Sequence, residues 1–514
     1  MQVVQTSEKK EISGNLYQIS DIFAKARQAQ KTWASFSFAK RRACIEKMSD
    51  YIVAHPDELV DILVRETGKT RVDALADEVF SCAFACKWYG EQAGQILKPR
   101  NLKTSISLMF HKKSRIYRLP LGVVGIISPW NYPLSIPFGE VIMGLMAGNA
   151  ILLKGPDETP QTIAAIESIV KAGNVPSGLF TIVKGPGADV ADAFFKHRID
   201  KIFFTGSVEV GKELMRKASA TLTPLSLELG GKDPMIVMED ADLERASNGA
   251  AWGGYQNAGQ TCAGVERVYV HEKIYEPFLK LLTAKTKALR HGHFSDPDVD
   301  IGAITTPRQF AKIKEHVNEA LAKGAQIVAQ SQAKNVSEGN FFPATLITSV
   351  DHSMTIMREE TFGPILCVMK FKTEEEAIRL ANDSHYALTS SIWTKDLSRG
   401  KRIAQKIEAG VTTINDHILT HALAETPWGG WKDSGLGRTH GQAGLEEMTH
   451  CKVVNWDTLQ TKRNFYWYPF DQATYDGLKA AMRFSFPKNA ADYIKQGKKL
   501  APFAIRKMFS SWKT

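Results

Sequence analysis

Phe203-Phe204-Thr205-Gly206-Ser207-Val208-Glu209-Val210-Gly211 reads as an apolar strand, a glycine turn and the start of a helix. A turn of this kind suits a pyrophosphate, because a helix start offers unpaired N–H groups to an anion. Its Gly-x4-Gly spacing is not the G-x-G-x-x-G fingerprint. Upstream, Val123–Ile127, Ile151–Leu153, Phe180–Val183 and Lys201–Phe204 are short apolar runs. Between them lie the helical stretches Pro137–Ala147, Gln161–Ala172 and Val190–His197. This alternation predicts a parallel sheet with helices on both faces. A second alternating block begins near Asp233, with strands Met235–Met238, Val268–Val270, Leu366–Val368, Ser391–Trp393 and Val411–Ile414. The fold class is therefore α/β, with two doubly wound parallel-sheet (Rossmann-like) domains meeting at a cleft.

Four helices are expected ahead of these domains, over Asp21–Trp33, Lys40–Ala54, Asp57–Thr67 and Asp73–Gln92; Pro56 and Gly68 supply start and stop signals for the third. Leu102 to Leu119 alternates around Lys112-Lys113-Ser114 and reads as a hairpin. The expected domains are 1–101 with 120–231, and 232–445. The segments 102–119 and 446–458 stand apart from both, and 459–514 is a C-terminal extension.

At 514 residues, 44% hydrophobic and 23% charged, the chain has the balance of a soluble globular protein with more than one core. The six cysteines show no metal-ligand spacing and suit a reducing compartment, so no metal site is expected. Met1 to Gly14 lacks the apolar core of a secretory signal, and Val141–Leu153 is too short to span a bilayer. The expected location is cytoplasmic. Of the net charge of +10, residues 452–514 carry 12 Lys+Arg against 4 Asp, a net of +8. The body is thus near neutral, which argues against nucleic-acid binding. The tail also holds 13 aromatics in 63 residues, against 9% for the whole chain. Aromatics interleaved with lysines over Tyr475–Phe484 and Ala490–Phe509 suit a membrane surface, and equally a helix packed over the mouth of a ligand pocket or on a neighbouring subunit.

Three further stretches carry chemistry. Asn257-Ala258-Gly259-Gln260-Thr261-Cys262-Ala263-Gly264 sets a thiol among small residues, where a backbone can bend and a substrate can approach. Leu227-Glu228-Leu229-Gly230-Gly231-Lys232 places a carboxylate between leucines, and burial there would raise its pKa toward that of a general base. Ser128-Pro129-Trp130-Asn131-Tyr132-Pro133 is a rigid turn whose amide can donate to an oxyanion. Each also has a structural reading: a packed cysteine, a salt-bridging acid, a turn asparagine.

Taken together, thiol, base, amide and phosphate turn resemble the aldehyde dehydrogenase superfamily, from about Asp21 to Cys451. Lys154-Gly155-Pro156-Asp157-Glu158-Thr159-Pro160, Glu359-Glu360-Thr361-Phe362-Gly363-Pro364 and Pro427-Trp428-Gly429-Gly430-Trp431-Lys432-Asp433-Ser434-Gly435 agree with it. The resemblance implies an NAD(P)-dependent enzyme with Cys262 as nucleophile, Glu228 as general base and Asn131 as oxyanion donor. Thiolate attack gives a thiohemiacetal, hydride transfer a thioester, and hydrolysis the acid. It implies that Trp130, Lys154, Asp157, Gly206, Ser207, Gly211, Glu360 and Phe362 bind the cofactor. Asp157 would repel a 2′-phosphate, which favours NAD over NADP. The aldehyde pocket would be lined by Tyr132, Ser135, Ile136, Gln256, Thr261, His417, His421 and Trp428, without an arginine for an acidic aldehyde or an acidic-aromatic cage for a quaternary ammonium. An uncharged aliphatic or aromatic aldehyde is expected. A second glutamate of some members falls in register with His450, near Glu447. The resemblance further implies that 1–101 with 120–231 bind the dinucleotide, that 232–445 carry the chemistry, and, with the hairpin, that 102–119 and 446–458 are oligomerisation strands of a homodimer or homotetramer. A coenzyme A-acylating enzyme and a non-catalytic scaffold are the rival readings.

Overall fold

The structure, a computed structural model, describes residues 18–334, 336, 339–459 and 461–510. The expectation about Met1–Gly14 lies outside the described residues. The chain divides into two compact units, one of the chain up to Ile96 with Pro120–Thr449, the other of Leu97–Leu119 with His450 onward.

The first unit holds both large sheets. The six-stranded sheet runs in the order Gly435–Leu436, Leu225–Glu228, Lys201–Thr205, Val123–Ile127, Ala150–Lys154, Phe180–Ile182. All its pairings are parallel except that of the Gly435–Leu436 edge. The chain starts at Val123–Ile127, builds outward on one side, then crosses to Lys201–Thr205 on the other. That reversal between Val123–Ile127 and Lys201–Thr205 is a topological switch point, and ligands gather beyond the carboxyl ends of the strands flanking it. Those ends lead into Trp130–Asn131 and Gly206–Ser207.

The seven-stranded sheet runs Gln326–Gln330, Thr345–Thr348, Ile365–Phe371, Val265–His271, Asp233–Val237, Thr389–Trp393, Val411–Ile414. Its first pair is antiparallel and the others are parallel. Both sheets are covered by helices, so their central strands are buried along their length.

The amino-terminal helices are Ile19–Ala34, Phe38–Ala54 and Pro56–Thr67, the last stopped by Gly68 at φ +76°. The expected helix Asp73–Gln92 is the middle of a longer one, Arg71–Ile96, in which Ala74–Phe80 winds as a π turn. The apolar run Val141–Leu153 is a buried helix, Ser135–Ala147, and a strand, separated by Gly148 at φ +96°. No helix among the described residues is long and apolar enough to cross a membrane.

In the second unit the hairpin reading is corrected. Lys112-Lys113-Ser114 is no turn; it lies within one strand, Lys112–Pro120. That strand pairs antiparallel with Arg100–Leu102 and lies between it and Thr449–Asp457 in a three-stranded ribbon. Most of its side chains are half-buried with no alternation, so its charged start imitates turn composition. The tail forms two helices, Gln472–Ser485 and Ala490–Phe509, packed through Ala480, Ala481 and Leu500.

Candidate active site

Cys262 is reached through a strained loop. Asn257 and Ala258 stand at φ +51° and +54°, followed by Gly259 at +69°. Left-handed non-glycine residues cost of order 1–3 kcal/mol each and persist only when neighbours fix them. A Cβ on Gly259 would lie 2.0 Å from the Gly363 carbonyl oxygen, so only glycine fits there. Gln260 holds the loop, its amide donating to the Asn257 and Ala303 carbonyls at 3.1 and 3.2 Å and accepting from the Thr305 N–H at 2.9 Å.

Asn131 is buried beside this loop, and its amide donates to the Gln260 carbonyl at 2.9 Å. That uses one of its two N–H bonds and leaves the other for a ligand. The Asn131 main-chain oxygen accepts from Lys69 Nζ at 2.9 Å and from Asn257 Nδ2 at 3.2 Å. Lys69 is itself buried against Glu78, whose carboxylate also accepts from the N–H groups of Leu134 and Ser135 at 2.7 and 3.3 Å. A second buried pair, Lys232–Glu266, works likewise: Glu266 accepts from the N–H groups of Thr361 and Phe362 at 2.9 and 3.0 Å. These four charged residues were not singled out in the sequence, because nothing local marks their partners.

Glu228 ends the strand Leu225–Glu228. Burial pushes its carboxyl up to about 8, against the pull of Arg438 and Trp428. Its Oε2 is buried with no hydrogen-bond partner among the described residues. The Cys262 thiol is also pushed up, by burial and then by the charges of Glu360, Glu228 and Asp233. It rests as a thiol that needs a base.

Two cavities meet at Cys262. One, of about 630 Å³, is lined by Trp130, Asn131, Gly206, Ser207, Glu228, Cys262, Glu360 and Phe362. The helix Val208–Ser219 begins there with Ser207 as its cap, and its first N–H groups suit a phosphate. The Gly206 N–H donates to the Glu228 main-chain carbonyl at 3.0 Å, which ties turn to base. Glu360 accepts from the Gly231 N–H at 3.1 Å, and Trp130 meets Phe362 edge-on at 5.7 Å. These residues fit a dinucleotide. Gly211, Lys154 and Asp157 stand back from the lining. Gly211 lets its helix approach Leu229, and Lys154 donates to Asp157 at 2.8 Å. Glu158 lines the cavity instead.

The other cavity, of about 610 Å³, brings Tyr132, Ile136, Thr261 and His421 together with Cys262. Tyr132 and Thr261 are joined at 2.7 Å and share Gln256. Ser135, Gln256 and His417 stand outside the lining, His417 bonding the Ala263 carbonyl at 2.9 Å, and Trp428 faces the first cavity. The outer wall is Phe80, Phe84, Trp88, Trp252, Leu419 and Leu423, with Asp77, Glu91 and Glu425 among them. Most of that wall belongs to the helix Arg71–Ile96, which carries no motif. Acids beside aromatics are therefore present, contrary to the expectation. Glu91 and Glu425 are exposed, and Asp77 is pushed up to about 7 by burial and Asp73, while it accepts from Gln256.

His450 is exposed on its strand, and Glu447 is held by the buried Lys201. Glu447 therefore has a structural partner. Among the described residues no three His, Cys, Asp or Glu side chains form a metal-holding group.

A family model described as the aldehyde dehydrogenase family matches residues 10–454. The 4,4'-diapolycopene aldehyde oxidase of Methylomonas sp is 35% identical over 477 residues, 92% of this chain and 88% of that protein. An aldehyde dehydrogenase from Bacillus cereus, solved as an NAD+ complex, superposes with a TM-score of 0.81 at 32% identity, over 86% of this chain and 89% of that one. An E. coli NADP-dependent enzyme superposes with a TM-score of 0.82 at 30% identity, over 86% and 90%.

Two outcomes are expected. A carboxyl with its pKa near 8 is protonated below that pH and cannot accept a proton, so a step that uses Glu228 as base should accelerate as pH rises to about 8 and then level off. A pH–rate profile flat across this range would exclude that role. Lys69→Met strips the Glu78 carboxylate of its buried partner and should cost about 3–5 kcal/mol in denaturant unfolding. A loss below about 1 kcal/mol, typical of a surface pair, would contradict the packing described.

Proposed function

The chain belongs to the aldehyde dehydrogenase family and is an NAD(P)-dependent aldehyde dehydrogenase; we propose that it oxidises an uncharged aliphatic or aromatic aldehyde to the acid, with NAD preferred. The observation that carries this reading is the position of Cys262 on the walls of two cavities, one that also holds the Gly206–Ser207 turn, Glu228 and Glu360, the other mainly apolar. The cofactor, when bound, supplies the hydride acceptor.

In this reading the Cys262 sulfur adds to the aldehyde carbon as its proton passes to Glu228. The developing oxyanion accepts from the Asn131 amide and the Cys262 N–H. Loss of hydride from the thiohemiacetal leaves a thioester on Cys262. Glu228 releases that proton to solvent, then takes one from water as the hydroxide adds to the thioester; the C–S bond breaks, Glu228 returns the proton to the departing sulfur, and the carboxylic acid leaves. Glu228 supports water over coenzyme A as the acceptor, since its buried, unpartnered oxygen suits a water-activating base. A scaffold would not need thiol, amide and base together.

The remaining assignments follow the same reading. Residues 1–101 with 120–231 bind the dinucleotide, and 232–445 carry the chemistry. Trp130, Gly206, Ser207, Glu360 and Phe362 hold the cofactor directly. Lys154, Asp157 and Gly211 act from behind the turn. Asp157 and Glu158 disfavour a 2′-phosphate. The ribbon segments 102–119 and 446–458 join a homodimer or homotetramer. The enzyme is cytoplasmic, and its extension 459–514 meets membrane surfaces.

The Phe80–Trp88 wall supports an apolar chain on the aldehyde, and Asp77, drawn toward neutrality and bonded to Gln256, is no strong counter-charge for a cation. With NAD and no coenzyme A, straight-chain aldehydes should turn over with kcat/KM rising with chain length. Succinic semialdehyde and betaine aldehyde should be poorer substrates, and NADP a poorer cofactor. Phe84→Asp should raise KM for the longer aldehydes about tenfold, the loss of one apolar contact, with little change in kcat. No turnover without coenzyme A, or a preference for the charged aldehydes, would overturn the reading.

A further inference from the structure

The helix pair of the C-terminal extension carries chemistry that the reaction does not use. A groove of about 610 Å³ between the two helices is lined by Lys479 and Arg483 on one side and Lys499 and Arg506 on the other. In each helix the lining recurs at helical spacing: Asp476, Ala480 and Arg483 face Lys499, Phe503 and Arg506. Its one carboxylate, Asp476, sits against four cations, and none of the four is within ion-pair distance of a carboxylate among the described residues. Gly477 lets the helices close up, since a Cβ there would stand 2.3 Å from the Phe503 ring.

Beside the cations the unit exposes apolar side chains that a surface in water would not favour. On Gln472–Ser485 and just beyond, Tyr475, Leu478, Met482 and Phe486 follow one another along a helical stripe, with Phe486 79% exposed. On the second helix Ile494, Ile505 and Phe509 are exposed. Trp467, Tyr468 and Phe470 project from the segment before the helices. Buried Lys507 holds that segment, donating to the Pro469 carbonyl and to Thr474 Oγ1 at 2.8 Å.

We infer that this helix pair docks on an anionic phospholipid bilayer, with the groove of Lys479, Arg483, Lys499 and Arg506 on lipid phosphates and the Tyr475–Phe486 stripe among the acyl chains. Charge complementarity selects the occupant. Apolar side chains alone would serve a second copy of the chain, but Lys479 and Arg483 flank the stripe on its own helix, and a second copy would bring the same cations against them. A bilayer with anionic headgroups satisfies both features: polybasic surfaces gain attraction per cation, and interfacial helices add the burial of aromatic and aliphatic side chains. The helices lie on the surface, neither being apolar enough to cross. The inference rests on and deepens the membrane contact proposed above for the extension, and does not depend on the catalytic reading.

The test uses the full chain and sonicated vesicles of phosphatidylcholine, with or without about one third phosphatidylglycerol, a content high enough to give a strongly negative surface. The protein is expected to sediment with the anionic vesicles and not with the neutral ones, and to be released as salt rises. The triple variant Lys479→Glu, Arg483→Glu, Lys499→Glu should lose at least about a hundredfold in vesicle partition. Met482→Ser with Phe486→Ser should weaken it without abolishing the salt dependence. Turnover of a short, water-soluble aldehyde should be unchanged in both variants, which separates lipid docking from catalysis and shows that the enzyme is folded. Equal sedimentation with both vesicle types, none with either, or full binding by the charge-reversed variant would overturn the inference. So would a change in the sedimentation-velocity mass of the Met482→Ser, Phe486→Ser variant in the absence of vesicles, since the face would then cover a second copy.

Discussion

The buried ion pair between Lys69 and Glu78 is the constraint through which the candidate site is assembled. Two charges out of water must be fully hydrogen-bonded or they destabilise the fold, and here the required partners are main-chain groups of the site. Glu78 takes the N–H groups of Leu134 and Ser135, and Lys69 takes the Asn131 carbonyl. Asn131 in turn binds Asn257 and Gln260 of the strained loop that ends at Cys262. One buried pair thus fixes the π-wound helix, the turn carrying the amide and the approach to the thiol. Lys232 and Glu266 do the same for the Thr361–Phe362 side of the cofactor cavity.

This arrangement explains how a thiol can be held protonated and still serve as a nucleophile. Burial and three nearby carboxylates keep Cys262 neutral at rest. Glu228 also carries a raised pKa, so it is largely protonated at neutral pH, and the fraction that ionises as pH approaches 8 is a stronger base than an ordinary carboxylate. The geometry keeps both groups at the boundary between the apolar cavity and the dinucleotide cavity. The left-handed residues at Asn257 and Ala258 are the strain that this positioning requires.

Much of the fold was legible because its elements are bounded by local signals. The strand–helix alternation of the first sheet, the Gly68 stop and the Gly206–Ser207 helix start all act through neighbours in sequence. The ribbon misled because Lys112–Ser114 has the composition of a turn, while a strand with half-buried faces imposes no alternation. The edge strand Gln326–Gln330 and its neighbour Thr345–Thr348 were missed: the first is mostly exposed and polar, the second too short to show a period. Within the site, Cys262, Glu228 and Asn131 stand in distinctive peptides. The Lys69–Glu78 pair and the Phe80–Trp88 wall do not, since their meaning depends on which way a π turn faces and on segments hundreds of residues away. Lys154 and Asp157 were legible as a motif, but the ion pair between them was not.

The most direct test of the central claim is a single-turnover experiment on Glu228→Gln with NAD and a long-chain aldehyde, read by reduced-nicotinamide absorbance and intact-protein mass. The amide keeps the shape of the side chain but cannot take a proton from water. The account predicts that reduced nicotinamide forms slowly, to about one per active site, because the Cys262 thiol has lost its base, and that the acyl group is then retained on Cys262. Continued rapid turnover with no acyl adduct would contradict it, because some other group would then be activating the water.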